Sequence, residues 1–146
     1  MLAPEEDYHH ISVARAAKTL HDWGVKVNIG AHGEREGLGA HWEIWGFAQG
    51  GMEPLAALAT ATRNPAASLG LDEHLGSVEV GKLADLIVIN GNPLTDIRAT
   101  EKVRYTIIGG EILDATTLNK LLPQPQQRPP LYFETPPASK AKAGSN

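Results

Sequence analysis

The feature that most constrains this chain is one short strand-like segment, VKVNIG, at residues 25–30. Apolar and polar side chains alternate along it, so that Val25, Val27 and Ile29 share one side of an extended chain. An amphipathic helix predicted over His9–Trp23 comes directly before it, and this order is typical of α/β folds. Such strands lie inside parallel sheets, yet no second segment of this type follows. The sequence therefore predicts an α/β element whose sheet partners belong to a larger fold.

Helical and strand-like patterns are segregated along the rest of the chain. Helical patterns continue to about residue 70, where Pro54 and Pro65 fit the first turns of two helices and Gly70 marks a stop. Asn64 is predicted to cap the second of these helices. Short β-rich runs follow over Ser77–Asp114, which predicts a small β layer after the helices.

A hairpin and a proline-rich tail complete the predicted organisation. Gly109-Gly110 separates two apolar runs and predicts a tight turn between strands. The tail is expected to be extended or disordered, unless its RPPLYFE stretch lies across a neighbouring apolar surface. The predicted parts are a helical part over residues 1–70, a β part over 71–118 and the tail over 119–146.

Composition and charge exclude several classes of function. The 146 residues carry a formal net charge of −4, which provides no basic surface for nucleic acid or an anionic membrane. No apolar run is long enough to span a bilayer, and the first ten residues do not predict a signal peptide, so the compartment stays unknown. Cysteine is absent, which excludes disulfides and thiolate chemistry. Any metal ligands must therefore be His, Asp, Glu or Lys.

A dense series of short motifs lies between residues 51 and 86. In chain order they are Gly51-Met52-Glu53-Pro54, Ala57-Leu58 with Ala61-Thr62-Arg63-Asn64, Leu69-Gly70 to Gly76-Ser77, and Gly81-Lys82-Leu83-Ala84-Asp85-Leu86. Together they resemble the C-terminal part of the amidohydrolase superfamily, the metal-dependent TIM-barrel hydrolases that include imidazolonepropionase-like and prolidase-like enzymes. The resemblance covers about residues 22–114, and GAHGEREGLGAHWEIW is similar to a narrower branch often fused behind a Tol-type β-propeller.

This resemblance implies a place for each predicted element. Residues 9–23 and 25–30 would be the seventh helix and the eighth strand of a (β/α)8 barrel, and the next helices would be its last ones. Ser77–Asp114 would be half of a small β-sandwich, whose other strands come from the N-terminal part of the parent protein. We therefore expect an α/β fragment from the C-terminal end of a TIM barrel, associated with its N-terminal remainder or with itself.

His32 is the candidate catalytic and metal-binding residue. Active sites of TIM barrels lie at the C-terminal ends of the strands, and His32 follows the predicted strand at the parity of Asn28 and Gly30. The resemblance implies an aspartate at this place that binds metal and accepts a proton from the attacking water. A neutral imidazole can bind Zn²⁺ or act as a base near neutral pH. The alternative is a histidine that contacts the substrate while the metal is held elsewhere.

His41 is the candidate substrate-binding residue. It begins the helix after the glycine-rich loop and, with Glu43, resembles the pattern of the narrower branch. The alternative is a structural histidine packed on Trp42 or Trp45. The loop charges, Glu34 among them, are expected to be solvated rather than catalytic.

The function that the resemblance implies is hydrolysis of a C–N bond in a cyclic amide, a peptide-like amide or an amine, with water activated by zinc or another divalent metal. The superfamily's other metal ligands would lie upstream, so this chain alone is expected to bind metal poorly and to be inactive. Two alternatives stay open: an interaction module that needs no metal, and a metal-free relic of the barrel.

Overall fold

The computed structural model describes residue 4 and residues 8–32 and 35–135. The helices are α1 (His9–Asp22), α2 (Leu38–Gln49), α3 (Pro54–Ala59) and α4 (Arg63–Ser68). The strands are β1 (Leu86–Ile89), β2 (Val103–Ile108), β3 (Glu111–Asp114) and β4 (Lys120–Leu122), with a 3-10 helix (Ile97–Glu101) between β1 and β2. The chain is thus an α/β structure in which helices precede strands, as the sequence indicates. The expectations for Glu34 and for the tail beyond residue 135 lie outside these ranges.

Helix α1 has nearly the predicted bounds, and its contact with α2 depends on small residues. Gly24 ends it with a φ of 85°, and its N–H donates to the His21 carbonyl at 2.9 Å. Buried Ala14 faces Gly50 at the end of α2. A Cβ on Gly50 would lie 2.4 Å from the Ala14 carbonyl carbon, so the two backbones are in direct contact. Only glycine allows the helices to approach this closely.

The apolar spacing on α1 predicts a buried stripe, but only its small member Ala17 is seen to pack against the core that contains Ile44 and Phe47 of α2, while its larger members are exposed. Val13, Leu20 and Trp23 are 66%, 43% and 76% exposed. The helix instead turns its alanine side, centred on Ala14, toward α2. Because an amphipathic helix buries its apolar stripe in an intact fold, this stripe has the character of an uncovered interface.

The main apolar core lies where α2 meets α3. Its buried members are Ile44, Phe47, Met52 and Ala57. Val27 and Ile29 pack against this core, whereas Lys26, Asn28 and Gly30 are exposed. The alternation predicted for residues 25–30 is therefore confirmed at Val27 and Ile29, but not at Val25, which is 48% exposed.

The strand predicted for residues 25–30 needs correction. Within the described part of the chain, residues 25–32 belong to no strand. The Ile29 N–H donates instead to the Thr60 carbonyl at the end of α3, at 3.0 Å. The physical reason is that a strand requires a neighbouring strand, and the sheet formed by β1–β4 does not include this segment.

Helix α4 begins earlier than its sequence signals predict. Thr62 occupies the N-cap position, so Asn64 and Pro65 lie inside the first turn. The Asn64 side chain does not cap the helix, because its Nδ2 donates to the Val27 carbonyl at 3.0 Å. A tertiary hydrogen bond thus replaces the local one that the pattern predicts.

The β layer is one antiparallel sheet in the order β1-β2-β3-β4. The predicted hairpin is confirmed, with Gly109 and Gly110 at φ values of 55° and 84° between β2 and β3. Adjacent residues of a strand point to opposite faces, and Ile87 and Val88 of β1 are 51% and 42% exposed. Both faces of the sheet therefore expose apolar side chains at this edge.

The region predicted as a proline-rich tail begins with β4 and then folds back. The Arg128 guanidinium donates to both carboxylate oxygens of Glu134, at 2.7 and 2.6 Å, and its Nε donates to the Thr117 carbonyl at 3.1 Å. Composition predicts an extended or disordered chain here, and residues 123–131 indeed form no helix or strand. The β4 strand and the bidentate Arg128–Glu134 pair are features that composition does not reveal. The rings of Tyr132 and Phe133 project from the fold and are 90% and 67% exposed.

The 3-10 helix joins the helical part to the β layer. Trp45 Nε1 donates to the hydroxyl of Thr100 at 2.8 Å, and Thr100 is only 2% exposed. The guanidinium of Arg98 lies 5.7 Å from the centre of the Trp45 ring. In the described ranges, no helix combines the length and the apolar character needed to cross a bilayer.

Candidate functional site

The candidate site is an open cavity of about 750 Å³ between α1, the segment 25–32 and α2. Apolar and aromatic side chains form much of its wall, including Val13, Trp42 and Phe47. The titratable or charged side chains on the wall are His10, His32, Arg35 and Glu43. An apolar cleft with a few polar groups is the usual form of a small-molecule site.

His32 lies exposed on this wall, directly after the core-packed residues Val27 and Ile29. The structure therefore places the sequence-predicted catalytic residue at a cavity, while its chemical role stays a prediction. His10, at the start of α1, lines the same cavity. His10 is exposed, as is His32. The two residues are far apart in sequence, so no local pattern predicts that they line one cavity.

Two hydrogen bonds hold the backbone just before His32. The Gly30 N–H donates to Oε2 of Glu43 at 2.8 Å, and the preceding Ile29 N–H donates to the Thr60 carbonyl at 3.0 Å. The acceptors belong to α2 and to the end of α3. Two different elements thus fix the chain at the point where it enters the cavity wall.

Helix α4 holds the start of the same segment. Asn64 Nδ2 donates to the Val27 carbonyl, and Asn28 Nδ2 donates to the Ser68 hydroxyl, each at 3.0 Å. Asn64 is one of the motif residues that carry the family resemblance. Its structural task is to tie α4 to the segment that ends in His32.

His41 does not join His32 at the cavity. It lies on α2 and is not among the cavity-lining residues in the described ranges. It is partly buried, and its Nδ1 atom is buried without a hydrogen-bond partner among the described residues. Burial lowers the pKa of His41, and the nearby charge of Glu101 partly offsets this effect. The substrate-binding role of His41 stays a prediction that this geometry does not support directly.

The described residues do not complete a metal site. They contain no group of three or more His, Asp or Glu side chains arranged to hold a metal ion. Glu43 lines the same cavity as His32, but one of its oxygens already accepts the Gly30 N–H. A hydrolytic zinc site needs about three protein ligands and an open position, so these side chains alone do not fit that ion.

The Gly-Lys-x-Ala-Asp-Leu motif builds a loop rather than the cavity. The ammonium of Lys82 donates to the Asp72 carbonyl at 2.5 Å and to the Ser77 hydroxyl at 2.6 Å. Asp85, directly before β1, accepts the Gly109 N–H at 2.7 Å. Lys82 thus holds the loop after α4, Asp85 holds the β2–β3 hairpin, and neither is among the residues that line the cavity.

Comparison with known proteins gives consistent similarities. A sequence profile of the Amidohydrolase family matches residues 1–113. The imidazolonepropionase of Symbiobacterium thermophilum is 50% identical over 40 residues, which are 27% of this chain and 9% of that protein. The imidazolonepropionase of Thermoplasma acidophilum is 46% identical over 65 residues, which are 42% of this chain and 16% of that protein.

A solved structure shows the same likeness in three dimensions. A Xaa-Pro dipeptidase with methionine bound in its active site has a TM-score of 0.63 and 32% sequence identity. The superposition covers 70% of this chain and 26% of the dipeptidase. The chain thus spans only a minor share of the length of each of these relatives.

Proposed function

The chain belongs to the amidohydrolase family, and from this we propose that it forms the C-terminal part of a hydrolase that cleaves C–N bonds. The observation that carries the proposal is the position of His32 on a cavity wall, directly after the segment that resembles the eighth barrel strand. The bond cleaved would lie in a cyclic amide, a peptide-like amide or an amine. The similarity to imidazolonepropionases and to a Xaa-Pro dipeptidase supports this range of substrates.

The helical part is proposed to complete a (β/α)8 barrel, with α1 as its seventh helix and residues 25–30 as its eighth strand. The alternation confirmed at Val27 and Ile29 supports a strand with one face on the surrounding helices. The exposed stripe on α1 supports a missing neighbour, because Val13 and Trp23 are left largely in water.

The β layer is proposed to be half of a composite β-sandwich. Exposed Ile87 and Val88 on opposite faces of β1, and Ile108 at 59% exposure, support cover by further strands. The proposed partner is the N-terminal remainder of the amidohydrolase, and self-association is the other way to cover the same surfaces.

Zinc, or another divalent metal, enters the proposal as a cofactor of the intact enzyme. His32 would be one ligand or would face the substrate, and the remaining ligands would have to come from residues beyond those described. If it faces the substrate, His32 would hold or transfer a proton at the reaction face, while the segment 27–30 keeps its imidazole in place. The chain by itself is expected to be inactive.

A second candidate, a protein-interaction module, is favoured by one observation. Residues 114–135 lie outside the family match, and the Arg128–Glu134 pair holds Tyr132 and Phe133 in an exposed position. Exposed aromatic side chains are frequent anchors of protein–protein contacts. In this case the chain would bind a protein without any need of metal.

Light scattering with elemental analysis of the purified chain separates these proposals. We expect the chain alone to associate and to hold zinc far below one ion per chain. A monomer with stoichiometric zinc would overturn the fragment proposal. The interaction module would be supported by a different pair of results. The chain alone would be a soluble monomer without zinc, and it would stay inactive when further barrel residues are supplied.

The site itself is tested in the chain co-expressed with the barrel residues encoded upstream. Hydrolysis of cyclic amides and X-Pro dipeptides is measured for wild type, His32→Ala and His74→Ala. His32→Ala is expected to lower kcat about 100-fold or more, as loss of a general acid–base does. His74→Ala is the control, because His74 lies exposed in a turn outside the cavity. Equal activity of the His32→Ala protein and the wild type would contradict the assignment.

A further inference from the structure

Glu43 connects the cavity wall to α2 in a way that the family resemblance does not assign. Its partly buried side chain lines the cavity, and its Oε2 accepts the Gly30 N–H at 2.8 Å. The two residues are 13 positions apart, so this bond closes the glycine-rich loop between the segment and the helix.

The hydrogen bond between Gly30 and Glu43 holds the backbone next to His32. Gly30 is exposed and lies two residues before His32, and a Cβ at Gly30 would meet nothing within 4 Å. Side-chain packing therefore does little to fix the backbone here. The bonds at Val27 and Ile29 hold the chain against the core, whereas the bond to Glu43 holds it beside the cavity. The Glu43 side chain supplies the acceptor oxygen that this N–H needs, at an ordinary hydrogen-bond distance.

We propose that Glu43 is a positioning residue, which by holding the Gly30 N–H keeps the imidazole of His32 at the cavity wall. This inference rests on the role proposed for His32. This role requires an acceptor oxygen on a side chain as long as glutamate. It does not require a negative charge at the reaction face. A Glu43 that itself accepted a proton or held a metal would depend on its charge instead.

Three variants of Glu43 test separately its acceptor oxygen, the length of its side chain and its negative charge. Glu43→Gln keeps an acceptor oxygen at the same reach and removes the charge. Glu43→Asp keeps the charge but shortens the side chain by one methylene, so its carboxylate no longer reaches Gly30. Glu43→Ala removes both, and Glu36→Ala is the matched control because Glu36 lies exposed in the same loop.

The first measurement is NMR of the labelled chain, which needs no activity. In Glu43→Ala and Glu43→Asp we expect the Gly30 amide to exchange with solvent about tenfold faster or more, and the His32 imidazole resonances to shift. In Glu43→Gln and Glu36→Ala both signals should stay close to wild type. Circular dichroism confirms that each variant is folded, and Glu43→Asp keeps the test decisive if Glu43→Ala unfolds.

The second measurement is hydrolysis by the chain assembled with its upstream residues. Glu43→Ala and Glu43→Asp are expected to lower kcat about 10- to 100-fold with little change in KM, because a misplaced catalytic group slows the reaction more than binding. Glu43→Gln should stay within about threefold of wild type.

The outcomes are distinguishable. Unchanged Gly30 exchange and His32 resonances in Glu43→Ala would overturn the inference and leave the proposed function intact. Loss of activity in Glu43→Gln equal to that in Glu43→Ala would also overturn it, since the charge itself would then matter. Full activity of His32→Ala would overturn the proposed function, whatever the Gly30 amide shows.

Discussion

The helical part, residues 9–68, is held together by apolar packing, whereas the β layer, residues 86–134, relies more on hydrogen bonds and ion pairs. In the helical part, the core around Phe47 and the backbone contact between Ala14 and Gly50 carry the fold. Stability there depends on volume, and the surfaces left uncovered are apolar. The two parts therefore respond to different changes: the helical part to the volume of side chains in its contacts, and the β layer to the charge of its carboxylates and basic groups.

Asp114 illustrates how the β layer is held. Its Oδ1 accepts from the N–H groups of Thr116 and Thr117 and from the Thr117 hydroxyl, while Arg104 lies 3.2 Å from Oδ2. These contacts, above all the Thr117 N–H, hold the pKa of Asp114 below its ordinary value. Lys120 and Glu111 add an ion pair between β4 and β3. Charge, rather than volume, is therefore the sensitive property of this region.

The largest effect is expected where two helix backbones touch. Gly50→Ala would place a Cβ 2.4 Å from the Ala14 carbonyl carbon, so α1 must move away from α2. We expect the free energy of unfolding in urea to fall by about 3 kcal/mol or more, at the upper end of overpacking effects. The control is Gly46→Ala in the same helix, where a Cβ meets nothing within 4 Å. This control should be neutral or stabilise by up to about 1 kcal/mol. Similar stability of the two variants would show that side-chain volume does not govern the stability of the helical part.

A smaller effect is expected at the junction of the two regions. Thr100→Val keeps the shape of the side chain but leaves the Trp45 N–H without its acceptor. The expected loss is about 1–2 kcal/mol in urea unfolding followed by circular dichroism. Thr19→Val on the exposed side of α1 serves as the control and should change stability by less than about 0.5 kcal/mol. If Thr100→Val costs no more than this control, the hydrogen bond does not couple the regions.

The smallest effect is local and depends on pH. The hydrogen bonds from Arg128, and then the Leu131 N–H, lower the pKa of Glu134 from 4.5 to about 2. A carboxyl with a lowered pKa stabilises the fold above its unfolded-state value and loses this contribution as pH falls through the folded-state value. We therefore expect the Arg128–Glu134 turn to open between pH 4.5 and about 2, with little change in global stability.

The ring resonances of Tyr132 report this opening in an NMR titration. In Glu134→Gln they should show no transition in that window, whereas Glu73→Gln, an exposed change outside the β layer, should behave as wild type. A wild-type titration that is flat from pH 4.5 to 2 would show that charge does not hold this turn.

Local sequence signals predicted a large share of the elements. The apolar spacing and Gly24 located α1 to within a residue at its C-terminal end, and Gly109-Gly110 located the β2–β3 hairpin. The alternation at Val27 and Ile29 identified the segment that packs on the core. These features depend on neighbours in sequence, which is why a pattern can reveal them.

Features that depend on distant residues were not predictable from patterns. The sequence predicts Asn64 as a helix cap, yet its side-chain amide donates to the carbonyl of Val27, 37 positions away. Trp45 and Thr100 are 55 positions apart, and no local signal couples them. The same holds for the site. The rule that active-site residues follow barrel strands predicted His32. The hydrogen bond from Gly30 to Glu43 depends on how α2 packs, so the sequence alone does not reveal it.

The three tryptophans lie in three different environments, and this gives the protein a built-in optical probe. Trp23 and Trp42 are 76% and 46% exposed, while Trp45 donates its indole N–H to the nearly buried Thr100 hydroxyl. With Trp23 and Trp42 changed to phenylalanine, the remaining fluorescence would come from the junction alone. The wavelength of that emission would then report whether the helices and the sheet stay in contact at the Trp45–Thr100 junction.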